Sequence, residues 1–207
     1  MTRHPTRTLA SAAIAAALLQ AAWPAAAQTA ATPGGTAAPE RTMANRLAGA
    51  DKDFLEQAAQ NGHAEIEGSR LAATKATNPD VKAYAQKMVD AHTKSHQELV
   101  TLATAKGAKL PDEPSLVQKT KLKLLQAADG DGFDRRYTES LGVEAHEDNI
   151  KLFEKASSRS ADPEIKAFAT RMLPNLREHL TMARALKTAS AKSSTKSGAK
   201  ADAEVKR

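Results

Sequence analysis

The chain has no cysteine among its 207 residues. That excludes thiol nucleophiles, thiolate metal sites, disulfide bracing and a lipidated cysteine behind a leader. Aromatic residues make up only 3%, and no stretch alternates apolar with polar residues, so strands have no support. Glycine-rich phosphate loops are missing, as is the strand–turn–helix serine motif of hydrolases. "DGDG" at Asp129–Gly132 has the look of a calcium loop. Its twelfth position is Ser140, however, where such a loop needs a glutamate. It reads instead as a turn that starts a helix. Glu-x-x-His pairs are lacking too: three residues before His92, His96, His146 and His179 stand Val89, Thr93, Val143 and Leu176. The ligand pattern of a bridging-carboxylate di-iron centre is therefore absent.

Long apolar runs are also scarce. The one run of note, Leu9 to Ala22, follows Arg3 and Arg7 and precedes the small residues Ala25-Ala26-Ala27. That order is the pattern of a cleaved secretory leader, and the run is short for a membrane span. We expect a signal peptide over 1–27 and a periplasmic or outer-membrane-associated product. Residues 28–48, rich in Ala, Thr, Pro and Gly, are expected to form a disordered linker, and 188–207 a disordered basic tail. The leader and the tail from Lys187 together hold eight basic residues and two acids, which accounts for the whole net charge of +6. The segment between them is neutral, so a nucleic-acid-binding face has no support. The tail's lysines suit an anionic envelope polymer or membrane surface as partner.

What remains is helical: Ala, Leu, Lys, Glu and Gln dominate the middle. "NPDVKAYAQKM" (Asn78–Met88) and "DPEIKAFATRM" (Asp162–Met172) resemble each other at an offset of 84 residues. Each begins with an Asn or Asp cap, a proline at the first helical position and an acid in the first turn. Each follows an earlier amphipathic helix after a short turn, so a helical hairpin occurs twice. The spacing predicts helices over Asp51–Lys75, Pro79–Lys106, Phe133–Ser157 and Pro163–Lys187, with Gly107 as a stop and a kink or break at Pro174. The long link between the second and third holds Pro111, Pro114 and room for a short helix over Ser115–Ala128. A link of that length can travel the bundle and leave those two helices parallel. The expected fold is an all-α, ferritin-like four-helix bundle over 49–187, with a long crossover containing a short helix.

The histidines fall in the seams. The last helix carries Ile165, Ala169, Met172, Leu176, His179, Ala183 and Leu186 at alternating steps of four and three. The second carries Val81, Ala85, Met88, His92, His96, Leu99 and Ala103; the third carries Val143, His146, Ile150 and Phe153. On the first, Glu65 shares a face with Phe54, Ala58 and Ala72, where an unpaired charge is costly. Counting from the turns, Glu65 and His92 differ in depth by about 4–5 Å, and His146 and His179 by about 7–8 Å. Two readings stay open. In one, Glu65, His92, His146 and His179, with His96 as a lesser candidate, hold a transition metal (Zn, Cu or Fe) in a metal-binding or buffering protein. In the other they form a satisfied polar core in a non-catalytic envelope or stress-related module. His63 is expected to pair with Glu67 on the surface.

"GHAEIEGSRLA" (Gly62–Ala72), "VKAYAQKMVDAHTKSHQEL" (Val81–Leu99), Leu110-Pro111, the His146 helix and "LPNLREHL" (Leu173–Leu180) resemble a bacterial exported family known as domain of unknown function 4142. The resemblance spans about Ala48–Leu186. It implies a ferritin-like bundle in the periplasm or outer membrane, with no settled activity. Glu65, His92, His146 and His179 fall at the family's recurrent polar positions. The chain departs from the pattern at Ala91, where Asp is favoured, and at His96, where Asn is favoured.

Overall fold

A computed structural model describes the backbone of residues 47–205 and the side chains of residues 47–189. The expected signal peptide and nearly all of the expected linker lie outside the described residues. Helix α1 spans Gly49–Lys75 and α2 Pro79–Ala105; a crossover containing α3 (Leu116–Gln126) leads to α4 (Gly130–Tyr137). A π-helical stretch, Thr138–Glu144, joins α4 to α5 (Ala145–Arg159), and α6 runs Pro163–Val205. Among the described residues there is no strand, and no helix is long and apolar enough to cross a membrane.

The start signals act as the sequence implies. Asn78 Oδ1 accepts the Asp80 N–H at 2.8 Å, and Asp162 Oδ1 accepts those of Glu164 and Ile165 at 2.9 and 3.1 Å. Ser115 and Gln118 close a reciprocal capping box at the head of α3. Gly107, at φ 66°, ends α2 in a conformation that suits glycine. Hydrogen bonds at the two ends then fix the helix directions. At one end Asp134, in α4, accepts the N–H groups of Thr77 (3.1 Å) and Asn78 (2.8 Å) in the first turn. At the other, Asp51 accepts the Asp162 N–H at 3.1 Å, while Lys106 binds Asp162 (2.7 Å) and Glu164. The segment from α4 to α5 therefore runs parallel to α2, and the crossover travels the length of the molecule.

Three expectations need correction. The third predicted helix is not regular: Ala145 N–H reaches back five residues to Ser140 O. The fourth shows no break at Pro174. That proline is exposed, as is Thr170, whose carbonyl loses its N–H partner to the ring, so water can satisfy the orphan. Nor does this helix end at Lys187; its backbone stays helical to Val205, through an Ala/Lys-rich stretch without proline.

The interior is layered. One apolar cluster gathers Phe54, Leu55, Leu99, Phe153, Ile165 and Phe168, and a second gathers Val81, Tyr84, Met88, Phe133, Tyr137 and Leu180. Between them in sequence, on every long helix, fall the polar groups described next.

Candidate metal centre

Glu65 (α1), His92 (α2), His146 (α5) and His179 (α6) are all buried, at 4%, 5%, 1% and 5% exposure. One nitrogen from each of the three histidines lies within 4.8 Å of the others, and the rings meet edge to face. The difference in depth of about 7–8 Å expected from helical rise between His146 and His179 is closed: their ring centroids stand 5.5 Å apart. Side chains lean toward the N-terminus of their own helix. In an antiparallel pair this moves His146 away from the connecting turn and His179 toward it, and counting Cα rise alone overlooks the shift.

The hydrogen bonds orient each ring differently. His146 Nδ1 lies 3.0 Å from Leu141 O and, as the donor, leaves its Nε2 with a free lone pair. The π-helical stretch makes this contact available, because amides that bond five residues back leave carbonyls out of the α-helical pattern. His92 Nδ1 stands 3.3 Å from Glu65 Oε2, and its Nε2 faces His146 Nε2, also at 3.3 Å. His179 Nδ1 is enclosed and has no hydrogen-bond partner.

The Glu65–His92 contact has the geometry of an ion pair, but burial works against charge on both sides. It pushes the Glu65 carboxyl up to about 8, against the opposing hydrogen bond from Asn149. It holds His92 well below 6.5, with His146 and His179 adding to the effect. Burial brings His146 and His179 down to about 4. In the metal-free protein the contact is thus a neutral hydrogen bond, in which protonated Glu65 donates to His92.

Glu65 also ends a chain of amides that sequence inspection missed. Gln118 donates to Asn61 Oδ1 (2.6 Å), Asn61 to Asn149 Oδ1 (2.5 Å), and Asn149 to Glu65 Oε1 (3.0 Å). The available signal was Asn149 three residues beyond His146, on the same helical face. Glu65, His92 and His179 line a cavity of about 430 Å³ that reaches Lys94, Glu98 and Arg171 at the surface.

His96 does not join the cluster. It is half-buried on the wall of the same cavity, with its ring 4.4 Å from that of His63. His63 accordingly faces His96 and makes no pair with Glu67.

The fold and the site define a class: an all-helical protein with a buried, three-histidine polar layer. The chain belongs to the family described as Domain of unknown function (DUF4142), whose model matches residues 36–186. It is similar in structure to a DUF305 protein from Streptomyces coelicolor: TM-score 0.59, 14% identity, 69% of this chain and 92% of that one. A DUF305 fragment from Deinococcus radiodurans matches at TM-score 0.59, 12% identity, and 68% and 97% coverage. A conserved hypothetical protein from Mycobacterium tuberculosis matches at TM-score 0.55, 18% identity, and 68% and 92% coverage. These likenesses concern the fold alone. No curated protein matches the chain.

Proposed function

We propose that the protein is an exported, ferritin-like four-helix bundle that binds and buffers one transition-metal ion through His92, His146 and His179. The observation that carries this is the enclosed His179 Nδ1, without a partner beside two Nε2 atoms that face each other at 3.3 Å. Two nitrogens on one tetrahedral metal at 2.0–2.1 Å stand about 3.3–3.4 Å apart, so that pair needs little movement to close on an ion. The outer contacts suit the same reading. Glu65, once it gives up its proton, on the far nitrogen of His92 and a backbone carbonyl on that of His146 are the usual supports of ligating imidazoles. Three neutral imidazoles favour Zn, Cu or Fe over Ca or Mg. Burial keeps the rings from taking up a second proton until well below pH 6.5, so the proton that competes with a metal is the one Glu65 holds up to about pH 8. Export accords with the Streptomyces neighbour, which is described as a candidate secreted protein.

One observation favours the second reading, a closed polar core in an envelope module. Protonated Glu65 can donate to His92 Nδ1, His92 Nε2–H to His146 Nε2, and His146 Nδ1–H to Leu141 O. That order needs no metal, but it leaves His179 Nδ1 unsatisfied. Calorimetric titration of apo protein with Zn(II) and Cu(II), beside His179→Ala, separates the two. Tight, near-stoichiometric binding lost in a variant that keeps its helicity is expected. Weak binding of equal strength in both proteins would leave only the polar core.

A further inference from the structure

Two histidines have no role in the three-histidine cluster. His63 on α1 and His96 on α2 face each other across the first hairpin, their rings tilted by 59°. His96 sits one turn beyond His92, about 6 Å along the helix. It lines the same cavity as Glu65, His92 and His179. Its ring lies against Gly62, where a Cβ would stand 3.0 Å from Nδ1. That nitrogen is enclosed and lacks a partner, while the ring as a whole is only half-buried. Burial, with His63 adding to it, holds His96 below its ordinary 6.5, which leaves the ring unprotonated at neutral pH. Among the described residues no side-chain hydrogen bond or ion pair engages either ring. Two imidazoles with nitrogens to spare, one of them on the wall of a cavity that also reaches His92 and His179, make a donor pair for a borderline metal.

We propose that His63 and His96 form a second, weaker site that captures a divalent ion such as Cu(II) and hands it inward to His92, His146 and His179. This rests on the metal-binding reading above. The transfer is ligand exchange: bonds from the metal to His63 and His96 break as bonds to the inner nitrogens form. The oxidation state does not change and no proton moves at the outer pair; at the inner site one proton leaves to solvent, as the Glu65–His92 pair becomes a carboxylate facing an Nδ1–H and His92 Nε2 is freed for the ion. Gly62 belongs to the device as a positioning residue, because its bare Cα is what lets the His96 side chain come this close to α1.

The test is stopped-flow uptake of Cu(II) by the full-length apo protein, followed by its visible absorption and paired with equilibrium titration. Wild type is compared with His63→Ala and His96→Asn, each checked for helicity. We expect wild type to take up one tight and one weaker equivalent. Both variants should lose the weaker equivalent and keep the tight affinity. They should also fill the tight site about tenfold more slowly, since a captured ion is presented at high effective concentration. Gly62→Ala should slow filling in the same way with both histidines present, which guards against an effect of lost donors alone. Variants that match wild type in stoichiometry and rate would overturn this inference alone. Loss of the weaker equivalent at an unchanged rate would overturn the handover. A wild type without a tight site would overturn the metal-binding reading itself.

Discussion

Replacing Glu65 with glutamine should remove the alkaline decline in the metal-free protein's stability. The folded carboxyl titrates at about 8 against 4.5 for the unfolded chain, because burial disfavours its charged form. Between those values the folded state holds a proton that the unfolded state has released, so stability falls as pH rises and the loss is complete above about 8. At about 1.4 kcal/mol per pH unit the whole window amounts to about 5 kcal/mol, a large part of the stability of a typical domain. Glutamine reproduces the protonated acid: its carbonyl can accept from Asn149, and its amide can donate to His92 Nδ1. The buried histidines act in the opposite sense. Their folded values lie below 6.5, so stability is lost as pH falls from there toward about 4. Both proteins share that limb, and the difference curve cancels it. Urea unfolding in the presence of a chelator, from about pH 5 to 9, should show little difference at the acid end. Glu65→Gln should be several kcal/mol more stable at the alkaline end. A flat difference, or a variant less stable throughout, would mean that Glu65 is ionised and paired with a protonated His92.

Two further outcomes are expected. In Gly68→Ala the new Cβ would stand 2.1 Å from Leu141 Cδ1 and 3.1 Å from Leu122 Cδ2, so about 1–3 kcal/mol of stability should be lost; an unchanged melting temperature would show that both leucines move aside freely. Mass spectrometry of protein from the native envelope should find an N-terminus near Gln28, and an intact Met1 leader there would refute export with cleavage.

The seams were legible because a buried face imposes its period on the sequence. Val81, Ala85, Met88, His92, Leu99 and Ala103 are all buried, and so are Ile165, Ala169, Leu176, His179 and Ala183. The crossover length likewise foretold that α2 and the α4–α5 segment run parallel. What escaped notice was set by local geometry rather than by period. The lean of side chains along their helices closed a gap between His146 and His179 that residue counting kept open. The π-helical stretch carries no pattern that distinguishes "TESLGVE" from an ordinary turn of helix. His96, four residues after His92, shared its seam by spacing yet lies against Gly62, because a missing Cβ on the neighbouring helix offers space that periodicity does not record. Pro174 was read as a break from residue type alone. The helix runs on through it, so the break is absent.

The two aspartates that brace the turns mark a structural repeat. Asp51 receives the Asp162 N–H and Asp134 receives the Asn78 N–H, so each hairpin clasps the other's turn at the matching place. Along the chain these aspartates are 83 residues apart, whereas Asn78 and Asp162 are separated by 84. Glu65 and Asn149, which hydrogen-bond each other, are also separated by 84. One extra residue must therefore enter the second copy between Asp134 and Asn149, and the π-helical stretch at Thr138–Glu144 lies in that interval. The inserted residue is one difference between the hairpins; the histidines are another, since His92, His146 and His179 fall opposite Leu176, Gly62 and Ser95 at that offset. On one side the carbonyl of Leu141 meets His146; on the other, Glu65 meets His92. At this matching position one hairpin contributes an acid and the other an amide, so two buried carboxylates do not face each other there.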